Sequence, residues 1–136
     1  MKNKMLKNGL AIGMSAFLLA SSLAPVSIQA ASWKQNKTGW WWQEDNGSYP
    51  TSQWKVINGK WYAFDERGYM RSGWFLSNGK WYYLGAANDG SMTTGWQLIN
   101  GSWYYLNPVN GDMAANQWIG IYYVNGSGVW DQGKTK

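Results

Sequence analysis

Tryptophan recurs in this chain at a regular spacing. Trp33, Trp54, Trp74, Trp96 and Trp118 follow one another at steps of 21, 20, 22 and 22 residues. In the first four units a second tryptophan comes seven residues later, as Trp40, Trp61, Trp81 and Trp103. The face of an indole carries excess negative charge, and its flat apolar surface accepts either an organic cation or the C–H face of a sugar. Ordinary cores draw on Val, Ile and Leu, which are few here. The paired indoles are therefore the residues best placed to do chemistry, and that chemistry is recognition.

Bond-making chemistry has little to work with. The chain has no His and no Cys, which removes the commonest general base, thiolate chemistry, disulfides and the usual zinc sites. Glu44-Asp45 and Asp65-Glu66 are adjacent carboxylates, but both pairs fall in connections, where acidic side chains commonly satisfy turn backbone. The expectation is a non-enzyme with no metal and no cofactor. Lys and Arg are spread singly along the chain, so no nucleic-acid footprint is expected.

The elements that must carry the indoles are hairpins. Asn58-Gly59, Asn78-Gly79 and Asn100-Gly101 lie between the two tryptophans of their units, and Asn-Gly suits the positive φ angles of a type I′ turn. With Asn78 and Gly79 at the turn, Ser77 faces Lys80, Leu76 faces Trp81, Phe75 faces Tyr82 and Trp74 faces Tyr83. Side chains alternate along a strand, so Trp74, Leu76, Trp81 and Tyr83 share one face, while Phe75, Ser77, Lys80 and Tyr82 share the other. Tyr62, Tyr82 and Tyr104, on that second face, read as packing residues. The first unit replaces Asn-Gly with Asn36-Lys37-Thr38-Gly39, and the last, from Trp118 to Trp130, is shortened.

After each hairpin comes a Gly-centred connection: Gly47-Ser48-Tyr49, Gly68-Tyr69-Met70, Gly90-Ser91-Met92 and Gly111-Asp112-Met113. A lone hairpin is marginal in water, so the units must bury their aromatic faces on their neighbours. The expected fold is all-β, a β-solenoid of about five stacked hairpins with a repeat of 20–22 residues.

The pattern Gly-Trp, then Asn-Gly-X-Trp-Tyr-Tyr-Leu, then Gly-X-Met-X-X-Gly resembles the cell-wall-binding repeat of bacterial choline-binding proteins. Gly73-Trp74 to Gly95-Trp96 and Gly95-Trp96 to Trp118 follow it nearly position by position. The opening from Thr38-Gly39-Trp40 to Trp54 looks like the entry to the choline-binding module of cell-wall amidases. The resemblance implies that choline sits between consecutive hairpins, held by both tryptophans of one unit and the third aromatic of the next. It then implies three cages: Trp54 and Trp61 with Tyr83, Trp74 and Trp81 with Tyr105, and Trp96 and Trp103 with Tyr123. Met92 and Met113 lie beside them as apolar wall. The equivalent first site, at Trp33 and Trp40, is expected to lack its third ring, because Ala63 stands there.

The implied partners are the choline residues of teichoic and lipoteichoic acid in a bacterial cell wall. A quaternary ammonium has no hydrogen-bond donor, so rings and shape must select it. Three rings at roughly 0.5–2 kcal/mol each give weak single sites, and several sites facing a polymer gain by avidity. A glucan or other carbohydrate, stacked on the same aromatics, is the competing ligand. Self-assembly, including a homodimer through exposed aromatic edges, is a third reading.

The first residues read as an address. Lys2, Lys4 and Lys7 precede an apolar run from Leu10 to Ala20, and small residues around Ala30-Ala31 fit a cleavage site. Residues 1–31 are thus expected to be a secretory signal peptide, too short in its apolar run for a membrane span, with residues 32–136 as the binding module. Removing it leaves nine basic residues against seven acidic ones. The expected location is secreted and attached to the cell surface.

Overall fold

The computed structural model describes residues 29–136, so the expected signal peptide lies almost wholly outside the described residues. Ten short strands form five antiparallel hairpins: β1 (Ser32–Gln35) with β2 (Trp40–Gln43), β3 (Gln53–Ile57) with β4 (Lys60–Phe64), β5 (Gly73–Ser77) with β6 (Lys80–Leu84), β7 (Gly95–Ile99) with β8 (Ser102–Leu106), and β9 (Gln117–Ile119) with β10 (Tyr122–Val124). Each pair is its own two-stranded sheet. The described part of the chain is all-β and repetitive. Among the described residues no helix is long and apolar enough to cross a membrane.

The turns fix the register. Asn58 and Gly59 adopt φ of 50° and 79°, Asn78 and Gly79 48° and 75°, and Asn100 and Gly101 48° and 83°. Two consecutive positive φ angles define the type I′ turn, which matches the twist of the flanking strands. Trp74 accordingly pairs with Tyr83, Phe75 with Tyr82, Leu76 with Trp81 and Ser77 with Lys80, as the sequence predicts. In the first hairpin the Asn36 side-chain oxygen accepts the Thr38 and Gly39 amides, closing a longer loop. The last hairpin turns at Gly120-Ile121 and keeps the pairing of Trp118 with Tyr123.

The connections join the hairpins to one another. Met70, Met92, Met113 and Trp130 each bridge to the last strand of their own hairpin, at Phe64, Leu84, Leu106 and Val124. The same four residues donate backbone N–H bonds to the preceding hairpin: Met70 to Trp40 (2.7 Å), Met92 to Trp61 (2.8 Å), Met113 to Trp81 (2.7 Å) and Trp130 to Trp103 (2.8 Å). Successive connections lie close together. Gly111 has φ of 78°, and a Cβ there would run into the Met92 side chain, so both conformation and space require glycine.

Phe64, Leu84, Leu106 and Val124, at the end of each second strand, are the largest fully buried side chains. Each such residue contributes about 1.5–3 kcal/mol, a thin core for a chain of this length. The aromatic contacts between hairpins must therefore hold the units together.

Candidate ligand-binding clefts between hairpins

Because the hairpins follow one another in the same orientation, the tryptophan face of one meets the opposite face of the next. Trp33 lies 4.9 Å from Tyr62, Trp54 5.1 Å from Tyr82, Trp74 4.8 Å from Tyr104 and Trp96 5.7 Å from Tyr122, measured between ring centroids. The first tryptophan of each unit is thus packed against the following hairpin. The second stays half-exposed: Trp61 is 47 %, Trp81 43 % and Trp103 38 % accessible. Between the two indoles and the phenol of the next unit there is open space.

Three of these spaces are cavities of useful size. The first, about 330 Å³, is walled by Trp33, Trp40, Tyr62 and Met70, with Asn88 and Asp89 at its edge. The second, about 430 Å³, is walled by Trp54, Trp61, Tyr82 and Met92, with Lys80 and Asn110 beside them. The fourth, about 300 Å³, is formed by Trp96, Trp103, Tyr122 and Trp130. At the third position Trp74 and Trp81 stand 6.4 Å apart at 87°, Tyr104 lies against Trp74, and Met113 is bonded to the backbone of Trp81. Volumes near 300 Å³ are at the small end for ligand sites, suited to a compact group.

Met92 lines the second cleft, the Met113 amide bonds the Trp81 carbonyl at the third, and the tryptophan pairs border the junctions between hairpins. The third rings do not stand where the resemblance implies. Tyr83, Tyr105 and Tyr123 lie against the first tryptophan of their own hairpins, each at 5.2 Å from Trp74, Trp96 and Trp118 respectively. The rings that reach back to the preceding unit are Tyr82, Tyr104 and Tyr122. Alternation is the reason: Tyr83 shares a face with Trp74, so only its neighbour Tyr82 points toward Trp54. The same logic corrects the first site, whose back wall is Tyr62, so Ala63 removes nothing from it. Tyr62, Tyr82 and Tyr104 both pack and line a cleft.

A model of the choline-binding repeat matches residues 51–89 and 86–118, half of the chain. The chain belongs to the choline-binding repeat family. Among solved structures, it is similar to choline binding protein F from Streptococcus pneumoniae, with a TM-score of 0.70 and 38 % identity over 76 % of this chain and 34 % of that one. It is also similar to the multimodular cell-wall endolysin of phage Cp-1, solved with choline (TM-score 0.61, 38 % identity, 76 % of this chain and 32 % of that one). A choline binding domain from Streptococcus pneumoniae matches with a TM-score of 0.55 and 44 % identity over 61 % of this chain and 98 % of the domain. The lysozyme of Streptococcus phage Cp-1 is 47 % identical over 30 residues, 22 % of this chain and 9 % of the enzyme. The chain spans about a third of the length of choline binding protein F and of the endolysin.

Within this choline-binding repeat chain, Glu44, Asp65 and Glu66 make contacts within the fold. Glu44 bonds Lys55 at 2.8 Å and accepts the Trp42 indole N–H at 3.1 Å; the Lys55 contact comes first among the causes that hold its carboxyl below the usual range. Asp65 accepts the backbone amides of Arg67 and Tyr69, and Glu66 pairs with Arg71. Among the described residues no group of three or more His, Cys, Asp or Glu side chains could hold a metal.

The clefts differ in charge. Asp89 lies at the first, and the hydrogen bond from Ser91 keeps its carboxyl ionised below the ordinary range. Burial, and then the Asp89 charge, push the Tyr62 phenol up, so it presents a neutral ring. Lys80, at the second cleft, is 3.7 Å from Asp112.

Trp130 was not among the expected cage residues. It follows Gly128 at the spacing of Met92 after Gly90 and Met113 after Gly111, and that shared offset was the available signal.

Proposed function

We propose that this chain is a non-catalytic wall-binding module that holds choline in the clefts between successive hairpins. The hairpins wind as a β-solenoid, and each full cleft takes its two indoles from one unit, its phenol from the next, and a Met or Trp130 from the connection that follows. In these terms the sites are Trp33 and Trp40 with Tyr62, Trp54 and Trp61 with Tyr82, Trp74 and Trp81 with Tyr104, and Trp96 and Trp103 with Tyr122. The observation that carries the reading is the half-exposed second indole, repeated beside a phenol of the next hairpin. Such a cleft offers mainly ring faces, which is what a trimethylated ammonium needs.

The natural ligand is the choline carried by teichoic or lipoteichoic acid, met outside the cell after removal of residues 1–31. Three rings give weak sites, and a polymer with many cholines converts them into firm attachment. The likeness to an endolysin solved with choline supports the same assignment.

Choline titration followed by tryptophan fluorescence tests it. The fluorescence is expected to change saturably with choline, and Trp61→Ala, Trp81→Ala and Trp103→Ala are each expected to remove a fraction of the change while the fold is retained. An unresponsive spectrum, together with retention on dextran, would instead favour sugar stacking.

A further inference from the structure

Two of the Gly-centred connections overhang the cleft of a hairpin two units earlier. Asn88 and Asp89 stand over the first cleft, where the Asn88 side-chain oxygen is 3.4 Å from the Trp40 indole nitrogen, and Asn110 stands over the second. The overhanging residue directly precedes the connection glycine: Asp89-Gly90 and Asn110-Gly111. One unit earlier the same place is held by Arg67, before Gly68.

Arg67 overhangs the outer face of the first hairpin. There Trp41 and Tyr49 occupy the positions that Tyr62 and Met70 hold in the first cleft, and the approach is close: a Cβ on Gly68 would strike the Tyr49 ring. Trp41, Tyr49, Arg67, Tyr69 and the amide of Gln43 enclose a cleft of about 320 Å³. It repeats the back wall of a cage, with a guanidinium where the cages have Asp or Asn.

The guanidinium is exposed, lies over a ring and carries no carboxylate partner among the described residues. It stacks over Tyr69 at 5.4 Å, and the Tyr69 hydroxyl accepts a hydrogen bond from the Asn36 side chain at 2.9 Å. Tyr69 in turn sits edge-on to Trp41, 6.3 Å away. A quaternary ammonium entering this cleft would meet a like charge with no carboxylate to offset it, unlike Lys80 at the second cleft, which pairs with Asp112 at 3.7 Å. An anion would be drawn to a planar fork suited to phosphate or carboxylate. The Trp41 face suits the C–H side of a sugar ring, and Gln43, whose amide nitrogen donates to the Gly47 carbonyl at 3.5 Å, leaves its side-chain oxygen to accept from a sugar hydroxyl.

We propose that this cleft binds a pyranose bearing an anionic group, its ring on Trp41 and its charge on Arg67. The site is separate from the choline clefts and does not depend on them.

The test is a two-dimensional NMR titration of the chain, first with choline to saturation and then with glucose 6-phosphate, glucuronate, glucose and inorganic phosphate. One or both anionic sugars are expected to shift the Trp41 indole N–H, and glucose to bind at least about tenfold more weakly. Which of the two binds better identifies the anion as phosphate or carboxylate. Arg67→Gln is expected to weaken the anionic sugars by about tenfold or more while choline still shifts the Trp54 and Trp61 indoles, which also reports that the variant is folded. Trp41 shifting with choline at the concentrations that move Trp54 would overturn the proposal. So would indifference of Trp41 to both anionic sugars, binding of inorganic phosphate as tight as glucose 6-phosphate, or equal affinity in Arg67→Gln. Sugar binding at Trp41 in a chain whose other indoles ignore choline would leave this proposal standing and remove the choline reading.

Discussion

Replacing Tyr82 by Leu separates the two ways of closing the second cleft. The Tyr82 ring lies 5.1 Å from Trp54 and lines the space beside Trp61, whereas Tyr83 lies 5.2 Å from Trp74, inside its own hairpin. Leu keeps apolar bulk against Trp54, so the fold is retained, but it has no quadrupole to offer a cation. One ring of three contributes about 0.5–2 kcal/mol, which corresponds to roughly a twofold to thirtyfold loss of choline affinity at that site. The loss is confined to one cleft, so a bulk titration would dilute it. The assay is therefore residue-resolved, following the indole N–H signals of Trp54 and Trp61 against those of Trp96 and Trp103. The first pair should saturate at higher choline concentration in the variant, the second pair unchanged. Tyr83→Leu should leave Trp54 and Trp61 as they were. If Tyr83→Leu weakens the second cleft and Tyr82→Leu does not, the face-to-back argument is wrong.

The remaining expectations address charge, packing and pH. Asp89→Asn should weaken choline at the first cleft by about two- to fivefold, the scale of an exposed charge pair, with the difference shrinking in high salt when Trp33 and Trp40 are monitored. Gly111→Ala places a Cβ against Met92 at a φ of 78° and should destabilise the fold by about 1–3 kcal/mol, read as a lower urea midpoint. The Glu44 carboxyl is held below its ordinary value of 4.5, chiefly by Lys55. Its contribution to stability is thus complete above that value and is lost as pH falls through the lower folded value. Urea midpoints should therefore show wild type ahead of Glu44→Gln at neutral pH, by no more than about 1 kcal/mol for a partly exposed surface pair, with the gap closing in acid.

The hairpins were legible because two local signals agreed. Asn-Gly between alternating aromatics fixes both turn type and register, and nothing tertiary competes with a two-residue turn. The tryptophan pairs were legible from their spacing, but their partners were not. The resemblance pointed to Tyr83, Tyr105 and Tyr123, although alternation already set these on the tryptophan face. Units repeating in one orientation must meet face to back, and that consideration selects Tyr82, Tyr104 and Tyr122. The overhanging connections were beyond reach of a period-two reading. The approach of Asn88 to Trp40 joins residues 48 apart in sequence and depends on how far each unit rotates from the last. Trp130 was obscured by the shortened last unit, which breaks the count from Trp118 but not the offset from Gly128.

The two tryptophans of a unit divide the work, and in the proposed reading that division keeps weak sites usable. The first is spent on cohesion: Trp54 touches Phe75 and Tyr82, and Trp74 touches Tyr83 and Tyr104. The second leaves its ring in solvent while its backbone is pinned, since the Trp61 carbonyl accepts the Met92 amide and the Trp81 carbonyl that of Met113. With the backbone already fixed, only the rotamers of the exposed ring are left to be ordered when a ligand arrives, so less of the gross attraction is consumed by ordering. The bond that pins it comes from the connection that also supplies the methionine beside the cleft. Stacking and readiness to bind are thus set by the same contact, and each hairpin added to the row makes the ligand cleft of the one before it.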